Sequence, residues 1–240
     1  MATLLISLLA FWLAPAVTAP ASVSSSFAPV ALRATEINLL EAPDPLAPAA
    51  GFRIVLYSGS ADDPPDREGL AWMTAASIHR QAGAGVEIAV GKDVTVFTAS
   101  APRDGAAALW HAVAQAVVKP AFDAQEMERL KHEQKQAIVS LRADAGSLVR
   151  ESFDWFVYRG HPYGHPAAGS ESSIDRITRE EILAFHAEHY RKGNMAVGLQ
   201  RAVNGDLAAR VRGELSGLPD GAPARPDRAV AWLARPRVLI

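Results

Sequence analysis

The sequence predicts an α+β fold, an antiparallel sheet with helices packed on one face, and three observations carry that expectation. Phe52-Arg53-Ile54-Val55-Leu56-Tyr57 is a β-branched and aromatic run of strand character. Val86–Val90 and Val94–Ala99 are two more such runs, joined by Gly91-Lys92-Asp93 as a hairpin turn. Several segments of helical period then follow one another before a last strand candidate at Met195–Leu199 and a short helix over Gly205–Leu215. Strands followed by a run of helices make the pattern of an α+β domain rather than of alternating βαβ units.

Each element has its own local signal. Ala106–Val118 carries Leu109, Val113, Ala116 and Val117 on one stripe and stops before Lys119-Pro120, where the residue preceding proline disfavours helix. Asp123 with Glu126 three positions on is a capping box that opens a helix from Ala124 to about Asp144. A further helix spans about Ser147 to Tyr158, before the loop Arg159-Gly160-His161-Pro162-Tyr163-Gly164. Thr178 and Glu181 form another cap, and Ile182, Leu183, Phe185 and His186 lead an amphipathic helix to Tyr190.

The N-terminus reads differently. Leu4–Leu13 is a nearly unbroken apolar run, followed by Pro15 and by Ala19-Pro20-Ala21 ahead of Ser22, so residues 1–21 have the form of a secretory signal peptide. The run is shorter than the roughly 20 apolar residues that a membrane span requires, and no Lys or Arg precedes it. A buried N-terminal helix is the alternative. Export to the periplasm or beyond the cell is therefore expected, with no stable membrane span after cleavage. Residues 22–51, rich in Ala, Pro and Ser, read as a linker. The folded module is expected over residues 52–225. Residues 226–240 read as a second linker with the start of a truncated second module, or as a strand docked in the same sheet.

Composition excludes several classes. The 240 residues are 49% hydrophobic and 21% charged, enough for an ordinary globular core. A net charge of −2 gives no basis for binding nucleic acid. Without cysteine there is neither a disulfide framework nor a thiolate metal site. Ser58, Ser60 and Ser77 lie near His79 in sequence, but nothing has the form of a G-x-S-x-G nucleophile elbow.

The most informative stretch is Gly69-Leu70-Ala71-Trp72-Met73-Thr74-Ala75-Ala76, which follows Val55-Leu56-Tyr57-Ser58-Gly59-Ser60 and the acidic turn Asp62-Asp63-Pro64-Pro65-Asp66. This order resembles the insulinase/pitrilysin (processing-peptidase-like) family of metallopeptidases. There a strand ends in Gly-Ser, and a Gly-Leu-Ala segment opens a helix carrying H-x-x-E-H. Two histidines four positions apart share a helix face and reach one metal, and the adjacent Glu is general base for the bound water. In this sequence the first His position is Trp72, the Glu is Ala75 and the second His is Ala76. The late landmarks agree with the same family: Gly160-His161-Pro162-Tyr163-Gly164, Gly169, Ser173-Ile174, Ile177-Thr178, Phe185 with Tyr190, Asn194, and Leu218-Pro219-Asp220-Gly221.

The resemblance implies one insulinase-type module, with Ser140 standing where the third zinc ligand is a Glu on the long helix; Glu133 is the nearest helix Glu that could substitute. It implies no cofactor in this chain, zinc being expected only in an active partner. That partner would be an insulinase-like homologue or second module. It also implies that peptide substrate pairs with an edge strand, matched here by Glu87, Ile88, Ala89 and Val90. The connection Gln81–Gly85 is shorter than the family's, which usually has an extra helix there. Trp72 is expected to fill core space left by the ligands, with a peptide-binding aromatic as the alternative. The chain is thus expected to be a non-catalytic homologue that holds substrate or supports the assembly. The alternatives are an active zinc peptidase using ligands such as His79 or His111, and a structural fragment without activity. His161 with His165, and His186, Glu188 and His189, are further metal candidates, although the last group lies on a face that reads as solvated.

Overall fold

The computed structural model describes residues 35–43, 46–201, 207–226 and 228. The signal-peptide segment and all of 226–240 apart from Pro226 and Arg228 lie outside the described residues. The sheet has five strands in the order β1-β5-β2-β4-β3. They are β1 (Asn38–Pro43), β2 (Ala49–Leu56), β3 (Val86–Val90), β4 (Thr95–Pro102) and β5 (Met195–Arg201). All neighbours pair antiparallel except β1 with β5, which is parallel.

The linker reading of residues 22–51 is corrected within its described part. Asn38–Pro43 is a strand, and β2 begins at Ala49 rather than Phe52. The Ala and Pro content hid the strand, because Asn38-Leu39-Leu40 is too short a run to register against its flanks. Pairing with β5 supplies what local propensity lacks: Leu39 lies opposite Val197, and Asn38 Nδ2 donates to the Met195 carbonyl at 3.2 Å. Pro43 ends β1, and β1 is an edge strand, where a missing N–H is tolerated.

Alternation along the strands separates the two faces. One register row runs Leu39, Val197, Ile54, Phe97, Ile88 across the sheet, and this face meets the helices. Ile54, Phe97 and Val197 are fully buried there. The neighbouring row, Leu40, Gly198, Arg53, Thr98, Glu87, points the other way, with Leu40, Arg53 and Glu87 exposed.

The helices are α1 (Leu70–Ala82), α2 (Arg103–Val118), α3 (Ala124–Ala143), α4 (Ala145–Val157), α5 (Glu171–Arg176), α6 (Arg179–His189) and α7 (Leu207–Glu214). β4 runs into α2 without a loop, so α2 starts at Arg103, three residues before the expected position. Its Trp110 is fully buried, with its ring 5.6 Å from that of Phe52. Thr178 and Glu181 close a full capping box, whereas at Asp123 only half of the expected box forms: its side chain accepts the Glu126 N–H, but the Glu126 carboxylate turns to Arg80 and Arg129. α5, which the sequence reading passes over, is a single turn and a half held by a capping box between Ser170 and Ser173. α6 is anchored through Arg179 Nε, which donates to the Phe122 carbonyl at 2.8 Å, and through His186 Nε2, 2.8 Å from the Val117 carbonyl.

The two faces give a direct stability test. Ile54→Ala leaves a cavity between sheet and helices and should cost about 2–5 kcal/mol. Arg53→Ala, one residue along on the open face, should stay within about 0.5 kcal/mol of the parent. Urea unfolding of both variants checks this, and equal losses would contradict the face assignment.

Candidate functional site

α1 sits at the centre of the fold, packed against α2, α3, α6 and the sheet. Leu70, Ala71, Met73, Thr74, Ala75, Ala76 and Ile78 are all buried, and Thr74 returns its hydroxyl to the Leu70 carbonyl at 2.9 Å. Two glycines allow this depth. Gly69 lies at φ +96°, and a Cβ there would come 2.7 Å from Ile174 Cδ1 and 2.9 Å from the Ala168 carbonyl oxygen. Gly169 lies at φ +77°, and its Cβ would meet the Glu68 carbonyl oxygen at 2.2 Å. The two backbones therefore touch, and only glycine fits at either position.

Asp63 fastens the start of α1. Its carboxylate oxygens accept the Gly69 and Ala71 N–H groups, each at 2.7 Å, so a side chain from the preceding turn caps the helix. The residue as a whole is half-buried, but its carboxylate points inward. Burial pushes the Asp63 carboxyl up from 3.8 to about 8; the N–H bonds from Ala71 and Gly69 oppose the rise, and Asp62 and Glu68 add to it.

Trp72, Ala75 and Ala76 lie on this helix. Ala75 is fully buried and Ala76 is 4% exposed, while Trp72 is half-buried against the core. Methyl groups and an indole present no lone pair to a metal and no group that titrates near neutral pH. The residues present therefore do not fit a zinc ion, and no hydrolytic step can be routed through them.

Ser140 is on the wrong side of α3 to complete such a set. The inward stripe of α3 is Met127, Leu130, Gln134 and Ile138, and Gln134 Nε2 donates to the Ala168 carbonyl at 2.8 Å. Ser140 lies about 200° around the helix from Ile138. It is exposed, bonds the Gln136 carbonyl at 3.0 Å, and borders an outward hollow with Lys135, Glu171 and Asp175. Glu133 is taken by Arg80 at 2.6 Å.

The histidines are also engaged elsewhere. His79 Nε2 lies 2.9 Å from the Val86 carbonyl, and His111 meets Glu214 at 3.3 Å. His186 is half-buried and His189 is buried, both held below the ordinary histidine range by burial, which corrects the solvated reading of that face. Tertiary packing of α6 against the core decides this, not its own weak amphipathicity. Among the described residues no group of three or more His, Asp or Glu side chains is placed to hold a metal ion.

β3 is an edge of the sheet, pairing only with β4 among the described strands. The Gly91 N–H donates to the Val94 carbonyl at 2.8 Å. Antiparallel alternation then turns the N–H of Ala89 toward β4 and those of Ile88 and Val90 toward the open side. A cleft of two adjoining cavities, 400 and 1210 Å³, lies between the end of β3, the turn after β2, α4 and the 160–170 loop; both are lined by Glu151, His165 and Pro166. Lys92 Nζ reaches from the hairpin turn to the His165 carbonyl, with burial holding the ammonium below its ordinary range against the pull of Asp154 and Asp63.

α4 forms the far wall and has no buried residue. Leu148, Val149, Phe153 and Trp155 are 46–68% exposed, and Val139 and Leu141 of α3 are exposed beside them. The sequence predicts a helix here, and the structure shows that among the described residues its apolar side chains have no element packed over them.

No protein-family model matches this sequence. Among curated proteins it is similar to an uncharacterized zinc protease of Rickettsia felis, 23% identical over 116 residues, 48% of this chain and 28% of that protein. Among solved structures it is similar to a peptidase M16 inactive domain from Pseudomonas fluorescens, with TM-score 0.74 and 23% identity. That match covers 83% of this chain and 53% of the other. It is also similar to the first half of the periplasmic protease PqqL from Escherichia coli, with TM-score 0.72, 13% identity and coverage of 83% and 48%. Pitrilysin matches with TM-score 0.70 and 17% identity over 82% of this chain and 23% of its own. The chain thus has the fold of one module of the M16, pitrilysin-type peptidases, and it spans about half or less of the proteins it matches.

The Asp63 cap is open to test. Asp63→Ala should cost about 1–2 kcal/mol, the worth of a strong helix cap. The raised carboxyl also sets a sign. The folded state keeps a proton up to about 8 that the unfolded chain releases near 3.8, so the Asp63 contribution to stability falls as pH rises between those values. Asp63→Asn does not titrate, so parent stability measured against this variant should decline across that window in urea titrations. A flat difference would contradict an Asp63 carboxyl raised by burial.

Proposed function

We propose that this chain is a non-catalytic homologue of the insulinase-type metallopeptidases, acting as the substrate-holding or structural half of a zinc peptidase assembly. The observation that carries the reading is chemical. Trp72, Ala75 and Ala76 lie on α1, and the resemblance assigns to these positions two zinc-binding histidines and a general base. Zinc and the base would come from the partner, an active insulinase-like homologue or a second module.

Two further features support it. β3 offers the outward N–H groups of Ile88 and Val90 beside a cleft, the arrangement by which an extended peptide adds as a strand. α4 and the end of α3 carry several large apolar side chains that are about half exposed or more, which suits contact with another module. The match takes up only 53% and 48% of two of the neighbours, which is consistent with a second module beside the matched one. Export is part of the proposal and rests on the form of residues 1–21. Among the described residues no helix is long and apolar enough to cross a membrane.

The test is made by mixing. The purified chain should retain no stoichiometric zinc through dialysis and have negligible peptidase activity alone. Added to a homologue with an intact H-x-x-E-H, it should raise turnover or peptide affinity. One zinc per chain, or a monomer that leaves the homologue's activity unchanged, refutes the proposal. For the edge strand, Ile88→Pro should weaken binding of fluorescein-labelled casein roughly two- to tenfold beyond Ile88→Ala, because only proline deletes an outward donor. Equal affinities for the two variants would remove β3 from the peptide site.

A further inference from the structure

We infer that Arg228 is a positioning residue that clamps together the three loops framing the cleft beside β3. The inference rests on the proposed peptide-holding role for its functional consequence, but the clamp itself is read directly from side-chain geometry. After α7 the chain returns to the residues just ahead of β5. The Lys192 N–H donates to the Pro219 carbonyl at 3.0 Å and the Gly193 N–H to the Gly221 carbonyl at 2.9 Å. Arg225 then lies over the Tyr57 ring at 5.4 Å and donates to Asn194 Oδ1 at 3.2 Å.

Arg228 follows, and its side chain is only 17% exposed. Nη2 donates to Asp62 Oδ1, and Nη1 donates to Asp93 Oδ1 at 3.1 Å. Each carboxylate is tied further. Asp62 also accepts the Ser58 hydroxyl at 2.7 Å and the Gly59 N–H at 3.0 Å, so it belongs to the turn after β2. Asp93 belongs to the β3–β4 turn and accepts the Tyr163 hydroxyl at 2.7 Å. The third loop joins through the Arg228 backbone. His161 Nδ1 accepts the Tyr163 N–H at 3.1 Å, so Nε2 carries the proton and donates to the Arg228 carbonyl at 3.1 Å.

One arginine therefore ties the 59–63 turn, the 91–93 turn and the 161–164 loop. All three carry cleft-lining residues: Asp63, Lys92 and His161. The guanidinium fork is what makes this work, since its two terminal nitrogens reach two carboxylates on separate loops, and a lysine ammonium lacks that planar reach. Without it, Asp62 remains largely buried with an unneutralised charge, and the 91–93 turn keeps the Ser60 and Ala61 N–H bonds to its Gly91 and Lys92 carbonyls and the Tyr163 and Lys92 links to the 160–165 loop, but no side-chain tie that joins all three loops. The His-Pro-Tyr-Gly segment thereby acquires a role that needs no metal: His161 and Tyr163 are the loop's two attachments to the clamp.

The test uses the full chain with Arg228→Ala and Arg228→Lys, read by amide hydrogen exchange and by fluorescein-casein anisotropy. In Arg228→Ala, exchange at residues 91–93 and 161–164 should rise about tenfold or more while the protection of α1 and β2 is unchanged, the pattern of local rather than global opening. Casein affinity should fall about tenfold, the scale of a lost buried charge pair acting through loop position. Arg228→Lys should recover part of the exchange protection, through Asp62 alone. The clamp is overturned if exchange in the two loops does not change, or if it rises equally throughout the module. The positioning role is overturned if the loops loosen and casein affinity stays the same. If the parent chain binds no casein, the peptide-holding reading fails, and the clamp is judged by exchange alone.

Discussion

The deep burial of the first two turns of α1 is the constraint from which the remaining structure follows. A helix start pressed between a sheet and neighbouring helices must carry small or apolar residues where it packs and must satisfy its first N–H groups without water. Ala71, Ala75 and Ala76 meet the first condition, and the Asp63 carboxylate meets the second by reaching from the preceding turn to the Gly69 and Ala71 N–H groups. The close approach of Gly69 and Gly169 then brings the 160–170 loop onto the start of the same helix, and Ser173 secures it with a hydroxyl bond to the Glu68 carbonyl at 2.7 Å. The cleft exists because these loops are held against α1.

The same burial explains how the helix can stand without a metal. A polar ligand set in this position would have to be paired or coordinated to offset its desolvation. Alanine at Ala75 and Ala76 removes that requirement and favours helix at the same time. The surrounding core closes over the two methyl groups, and the Trp72 ring adds packing where it is half-buried. The start of α1 is thus held by packing and by the Asp63 cap, with the β3 edge and the adjoining cleft formed beside it.

Among the described residues, two surfaces have no element packed over them. One is the edge of β3, which offers backbone donors. The other is the apolar face of α4 and the end of α3. They flank one cleft, so an occupant of either would meet the loops that Arg228 draws together. Charged groups on those loops are mostly engaged with one another, as with Lys92 on the His165 carbonyl and Arg228 between Asp62 and Asp93. The cleft is accordingly shaped by internal ties rather than by free charge.

Much of this was legible in local sequence. The hairpin at Gly91–Asp93, the caps at Asp123 and Thr178, the helix break before Pro120 and the missing ligand atoms at Trp72, Ala75 and Ala76 all depend on neighbours within a few residues, where propensity and spacing suffice. What only the tertiary structure decided depends on partners far along the chain. β1 is a strand because β5, more than 150 residues away, pairs with it. Ser140 faces outward because the inward stripe of α3 is chosen by what it packs against, and a placement made by sequence spacing alone cannot resolve which face that is. His189 is buried because the core closes over α6, and Arg228 is a clamp because three loops converge on it. Each of these is a long-range contact, and no local pattern encodes the distance between residues that only folding brings together.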